Sequence, residues 1–181
     1  MSVAIAPSTL DTGLLIARLA LGAMLIGHGS QKLFGWFGGH GISGTAGFFE
    51  QLGFRPGKPF AYAASLSEVG GGLLVALGLL GPIGPALIIS VMIVAAGTVH
   101  WGKGVFYTTG GFEVPLVYSA VALALGLSGP GARSLDAALG LSLTEPVLVW
   151  SVLALGVAGG LLNLAIRRPA PAATPEAAAQ A

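Results

Sequence analysis

The sequence predicts an all-α protein, a polytopic bundle of membrane-spanning helices. Three observations predict it: 8% of the 181 residues are charged, 54% are hydrophobic, and the mean hydropathy is +0.86. Soluble domains carry about 25% charged residues, so this composition is typical of a membrane protein. The 30 glycines favour the same class, because glycine lets membrane helices approach one another closely.

Composition also excludes several functions. The chain has no cysteine, which removes disulfides, thiolate metal sites and thiol chemistry carried out by this chain alone. Its Lys and Arg residues are dispersed and the formal net charge is +1, so we predict no surface for nucleic acid. The histidines and carboxylates lack the close spacing of metal-binding motifs on helices, and we predict no metal site.

Five apolar segments are candidates for crossing a bilayer, which takes about 20 residues in a helix. The first is too long, and too interrupted by Arg18, for a signal peptide, so we expect it to be retained. The fourth is the shortest. The five segments cover residues 13–34, 60–80, 83–101, 112–127 and 147–166.

A short interfacial helix is predicted between the first two spans, over about residues 45–52. Ser43 or Thr45 is placed to cap its start. Its apolar side chains suit the boundary between lipid headgroups and acyl chains. Gly57 and Pro59 are expected to end it.

The remaining segments are connections and ends. Gly81-Pro82 predicts a tight turn that makes an antiparallel hairpin of the second and third spans. Residues 134–143 are expected to form a brief surface helix. Residues 1–12 make an N-terminal segment, and the Pro/Ala-rich residues 167–181 are expected to be a disordered tail.

Positive charge predicts the orientation in the membrane. We call the side of the N-terminus side A and the side on which the first span ends side B. Side A carries Arg133, whereas side B carries most of the Lys and Arg residues, and cytoplasmic loops are the positive ones. We therefore expect side B and the C-terminus in the cytoplasm and the N-terminus outside. The side B residues are Lys32, Arg55, Lys58, Lys103, Arg167 and Arg168.

Titratable side chains interrupt these spans, and a charge at the bilayer centre costs roughly 2.5–3.5 kcal/mol on insertion scales. Helical phase places Arg18 and Lys32 on one face of the first span, with His28 at its edge. Glu68 lies on the second span about 12 Å from side B, a depth similar to that of His28. We expect a hydrogen bond between His28 and Glu68, with Lys32 also within reach.

His100 and Glu113, at the side B ends of the third and fourth spans, extend this cluster. Arg18 lies nearer side A, where Asp136 or backbone carbonyls are expected to satisfy it. Two interpretations stay open for these groups: intramembrane ionisable residues are functional by default, but they also lock helices together. For His100 and Glu113 a position at the wet interface is the simpler explanation.

Several short motifs, in order and spacing, resemble the DoxX family of bacterial membrane proteins. The resemblance extends over about residues 10 to 140, the first four spans. The motifs are Arg18, Gly27-His28-Gly29 with Lys32-Leu33, Phe48-Phe49, Glu68-Val69-Gly70-Gly71-Gly72-Leu73 with Leu77-Gly78-Leu79, and Gly129-Pro130-Gly131 with Ser134-Leu135-Asp136.

This resemblance implies a four-helix domain over residues 13–140 in the bacterial cytoplasmic membrane. It places Arg18, Lys32, Glu68 and Asp136 on the family's recurrent polar positions. The family name is tied to a subunit of a thiosulfate:quinone oxidoreductase, and other members are linked to redox-stress complexes. The span at 147–166 is additional to the family pattern, and it is a candidate for docking a membrane or soluble redox partner.

Two classes of function follow from the sequence. In a quinone-linked redox subunit, His28 and Glu68 serve as proton donors and acceptors and Lys32 stabilises negative charge on the reduced quinone. The chain shows no motif for haem, flavin or iron–sulfur clusters and no covalent cofactor is predicted, so a partner would supply the electrons. The alternative is a non-enzymatic anchor or scaffold subunit, or a small-solute carrier. The sequence shows no inverted pair of broken helices, which disfavours the carrier.

Overall fold

The computed structural model describes residues 7–168, and within this range every regular element is a helix. Residues 1–6 of the predicted N-terminal segment lie outside the described residues. Residues 169–181 of the predicted disordered tail lie outside them as well. The α-helices are α1 (Pro7–Phe34), α2 (Gly41–Gln51), α3 (Gly57–Leu77), α4 (Ile83–Ala95), α5 (Glu113–Ser128), α6 (Leu135–Ala138) and α7 (Pro146–Ile166).

Four helical stretches have the length and apolar composition to cross a membrane. They are Thr9–Phe34, Gly57–Leu77, Ile83–Lys103 and Pro146–Ile166. The third of these is α4 continued through a π-helical turn, Ala96–His100, and a 3₁₀ turn. The all-α membrane bundle predicted from the sequence is confirmed.

The 16-residue α5 is too short to match the other four. At 1.5 Å per residue it spans about 24 Å, against a hydrocarbon core of about 30 Å. Its direction follows from the packing of α4 and α7, which run parallel: Gly156 packs on Ala86 and Gly160 on Ser90. Because both helices run from side A to side B, α5 returns across the bundle from side B to side A.

The first two long helices, α1 and α3, pack antiparallel through glycines. A Cβ atom built on Gly22 would lie 2.6 Å from the carbonyl oxygen of Gly72, and one on Gly29 would lie 2.9 Å from that of Ser65. Such distances leave no room for a side chain, so the backbones touch. This contact sets the register that brings Lys32 beside α3.

The short helix predicted between the first two spans is present; its predicted start is wrong, whereas its predicted end agrees to within one residue. It begins at Gly41, so Ser43 and Thr45 lie inside it, and the Thr45 hydroxyl donates to the carbonyl oxygen of Lys32. It ends through Gly53, whose φ of +95° lets the amides of residues 53 and 54 bond back to residues 50 and 49. Gly57 does not end it but opens α3.

The segment predicted as a surface helix over 134–143 is a single turn, α6, folded into the side A end of the bundle. The Ser134 hydroxyl caps it by accepting from the amide of Ala137. Asp136 is 2% exposed, and its carboxylate accepts from the amides of Leu80 and Gly81, each at 2.8 Å. Asp136 therefore holds the α3–α4 turn, where Leu80 has the unfavourable φ of +60°.

Candidate functional site

The polar centre of the membrane region is an ion pair between Lys32 of α1 and Glu68 of α3. The Lys32 ammonium lies 2.6 Å from Oε1 and 2.5 Å from Oε2 of the Glu68 carboxylate. The Glu68 side chain is 3% exposed, whereas that of Lys32 is 31% exposed. Burying a carboxylate costs free energy unless a cation and hydrogen bonds offset the lost hydration, and Lys32 supplies both.

The two members of this pair lie at different distances from the side B ends of their own helices. Since α3 starts at Gly57, Glu68 lies about 16 Å along that helix, deeper than the 12 Å expected from the sequence. Lys32 lies in the last turn of α1. The extra length of α3 is covered by α2, which folds back along it.

An apolar cavity of about 130 Å³ adjoins the carboxylate, enclosed by α2, α3, the end of α4 and α7. Phenylalanine rings form a continuous row on one side, with centroids 5.5 Å apart for Phe49 and Phe54 and 5.2 Å for Phe54 and Phe60. The aromatic lining consists of Phe48, Phe49, Phe54 and Phe60, and the polar lining consists of Lys32, Glu68, Ser67, Ser90, Thr98 and Asn163.

Two of these polar groups use their donors within their own helices. The Thr98 hydroxyl donates to the carbonyl oxygen of Val94, and the Asn163 amide nitrogen donates to that of Gly159. Among the described residues that line the cavity, Lys32 and Glu68 are the two charged ones, and they form an ion pair.

The π-helical turn at Ala96–His100 forms part of this lining through Thr98 and Val99. A π-turn places an extra residue in a helix and shifts the side chains that follow it, and such turns are frequent at functional sites. Here the turn opens α4 where the cavity meets side B.

The cluster expected from the sequence is only partly assembled. The His28 ring faces the ring of Tyr118 on α5, with centroids 6.2 Å apart, and the expected hydrogen bond from His28 to Glu68 is replaced by the two bonds from Lys32. The rotation of α1 about its axis decides this, because it turns Lys32 rather than His28 toward α3.

His100 and Glu113 organise the loop between α4 and α5. The Nδ1 atom of His100 lies 2.6 Å from the carbonyl oxygen of Gly110, and the Glu113 carboxylate accepts from the amide of Tyr107 at 2.7 Å. Neither side chain lines the cavity. Both lie at the side B end of the bundle.

Arg18 is separate from the cavity and lies toward side A, as expected. It is 2% exposed, lies against Gly78, and donates to the backbone carbonyl of Arg133, while Asp136 acts on it electrostatically. Both partners named from the sequence therefore contribute. Its role is to hold the loop after α5 onto α1 and α3.

Sequence reasoning missed Asn163, which closes the cavity from α7. Two signals pointed to it: an amide in an otherwise apolar span, and the small-xxx-small spacing of Gly156 and Gly160. That spacing seats α7 on α4, since a Cβ atom on Gly156 would lie 2.5 Å from the carbonyl oxygen of Ala86. No group of three His, Asp or Glu side chains able to hold a metal occurs within residues 7–168.

Residues 13–101 match the model of the DoxX family. The matched part is narrower than the resemblance over residues 10–140, and it contains Lys32, Glu68 and the walls of the cavity that come from α2, α3 and α4. The wall from α7 lies beyond it. No curated protein and no solved structure matches the chain.

Proposed function

We propose that the chain is a membrane protein of DoxX type, as the match of residues 13–101 to that family's model supports, and that its cavity binds the ring of a quinone for a redox partner. The observation that carries this proposal is the Lys32–Glu68 ion pair in the wall of a phenylalanine-lined cavity at membrane depth. An apolar slot with one donor and one proton acceptor is what a quinone ring requires.

The size of the cavity supports a single ring. An apolar cavity of about 150 Å³ in a protein core admits benzene, and this one measures about 130 Å³. The row from Phe49 to Phe60 offers ring faces and edges to a planar aromatic ligand. A longer apolar tail has to leave the cavity between the helices, toward lipid.

The two charged side chains have distinct roles in this proposal. Reduction of a quinone consumes two electrons and two protons. The ammonium of Lys32 is placed to donate a hydrogen bond to a ring oxygen, and the carboxylate of Glu68 to take up or release a proton. In this proposal a partner supplies the electrons, since the sequence shows no motif for haem, flavin or an iron–sulfur cluster. His28 faces Tyr118, so the proposal rests on Lys32 and Glu68.

Binding of a water-soluble quinone to the purified protein tests the proposal. We expect saturable binding of a short-chain ubiquinone or a menaquinone analogue, measured by equilibrium dialysis in detergent. Glu68→Gln is expected to weaken binding of the reduced, quinol form about tenfold or more, because the carboxylate accepts a hydrogen bond from a ring hydroxyl of the quinol and this bond to a charged group is lost. Glu145→Gln, at an exposed position on side A, is the matched control. Absence of binding, or equal affinity in Glu68→Gln, contradicts the proposal.

We also propose that the protein resides in the bacterial cytoplasmic membrane with side B in the cytoplasm. The fold supports it by placing the ends of α1 and α7 and the start of α3 on the same side, together with their Lys and Arg residues. Anionic lipid and the positive-inside rule favour that side as cytoplasmic.

A second candidate function is a non-enzymatic scaffold subunit. The observation that favours it is that Lys32 and Glu68 also bond α1 to α3, which is a sufficient structural role for both. Co-purification discriminates the two: a redox enzyme retained through detergent extraction favours the quinone-linked subunit, and retention of partners without redox centres favours the scaffold.

A further inference from the structure

A second concavity of about 350 Å³ lies on side B, between the end of α1 and the start of α2. We call it the vestibule. Glycines 38, 39 and 44 form much of its wall, and His40 and Gln31 supply polar groups. It lies beside the last turn of α1 at the end of the bundle, and its residues Gly38, His40, Gly44 and Phe48 are exposed.

The vestibule and the cavity share three residues, Lys32, Phe48 and Phe49. These three side chains therefore form a partition, with the vestibule on one face and the Glu68 cavity on the other. Its members are unequally buried: Phe49 is 8% exposed, whereas Phe48 is 44% exposed. The Lys32 side chain is 31% exposed, and it lines both the vestibule and the cavity.

We propose that the vestibule is the aqueous entrance to the cavity, so that water and protons reach Glu68 from side B and not from side A. This inference rests on the proposed function of the same cavity, since it names the side from which the protons of quinone reduction come. On side A, by contrast, Arg18 and Asp136 are each 2% exposed; Arg18 is bonded to the loop after α5 and Asp136 to the α3–α4 turn. Displacement of the Phe48 ring is the motion that joins the two spaces.

Because the chain has no cysteine, single thiols test this entrance directly. Ser67→Cys places a thiol in the cavity, Ser43→Cys marks side B and Ser142→Cys marks side A. Ser119→Cys is the matched control, because it lies in an apolar groove between α5 and α7 that has no vestibule. Each variant is treated in sealed vesicles of either orientation with a charged, membrane-impermeant methanethiosulfonate.

We expect the thiol at position 67 to be modified from the side that modifies position 43, and position 119 to stay unmodified from both sides. Phe48→Ala in the Ser67→Cys background is expected to raise the rate several-fold. Modification of position 67 only from the side that modifies position 142, or from neither side, overturns the proposal, as does a rate unchanged by Phe48→Ala. Labelling after denaturation verifies that each thiol is present.

The outcome is independent of quinone binding, because the assay contains no quinone. A cavity reached from side B that binds no quinone retains the entrance and removes the proposed function. A cavity that binds quinone but is closed to side B retains the proposed function and removes the entrance.

Discussion

Removing either member of the Lys32–Glu68 pair should destabilise the protein, and by unequal amounts. Lys32→Met leaves the Glu68 carboxylate, 3% exposed, without its cation. Breaking a fully buried ion pair costs about 3–5 kcal/mol. Because Lys32 is 31% exposed, water reduces that figure, and we expect a loss of about 2–3 kcal/mol in the free energy of unfolding.

Glu68→Gln leaves an ammonium that can turn toward the vestibule and be hydrated. We therefore expect it to cost about 1 kcal/mol, the upper end for exposed pairs. The Lys32→Met, Glu68→Gln double variant should be more stable than the sum of the single losses predicts. Polar contacts between membrane helices average about 0.6 kcal/mol in such cycles, and this charged pair should exceed that value.

The assay is reversible unfolding of the purified protein in mixed micelles with increasing dodecyl sulfate, followed by far-UV circular dichroism. Equal losses for Glu68→Gln and Lys32→Met would refute this prediction, because the two side chains would then be equally shielded from water. It is also refuted if the two losses are additive, since the side chains would then not interact.

Three further predictions follow from packing, turn structure and topology. Gly156→Ala should lower the free energy of unfolding by about 2–3 kcal/mol because its Cβ atom would meet backbone at 2.5 Å. Gly159→Ala, whose nearest neighbour is a side-chain oxygen at 3.4 Å, should be near neutral. Equal losses in the two variants would contradict this packing. Asp136→Ala should cost about 3 kcal/mol by leaving two amides of the α3–α4 turn unpaired; an unchanged thermal midpoint would argue against this role. In intact cells an impermeant maleimide should label Ser142→Cys and not Ser43→Cys, and the opposite pattern would invert the proposed orientation.

The helical spans were predictable because a run of about 20 apolar residues has few alternatives to a membrane helix. Even the short α5 was predicted to within one residue at each end: the sequence predicted residues 112–127, and the helix is Glu113–Ser128. The start of α2 was missed for a local reason. Glycines with positive φ at positions 35, 38 and 41 reverse the chain within a few residues, so the helix starts before the capping residues that the sequence offered.

The site was predictable in its members but not in its contacts. Glu68 and Lys32 were identified as charges at membrane depth, and they do meet. Helical phase fixes which residues share a face, but it does not fix how that face is rotated against a neighbouring helix, so His28 was paired with the wrong element. Asn163 was missed because the helices α3 and α4, with which it lines the cavity, are far away in sequence.

The helix that closes the cavity has a consequence for how such proteins diversify. Lys32, Glu68 and the phenylalanine row belong to the matched DoxX segment, whereas Asn163 comes from outside it. Substitutions in α7 can therefore reshape one wall of the cavity without changing the ion pair or the phenylalanine row, except at Gly156 and Gly160, whose packing on α4 holds the helix in place. A chain that stopped before Pro146 would present the same ion pair in an open trough, which an acyl chain or a helix of another protein could fill.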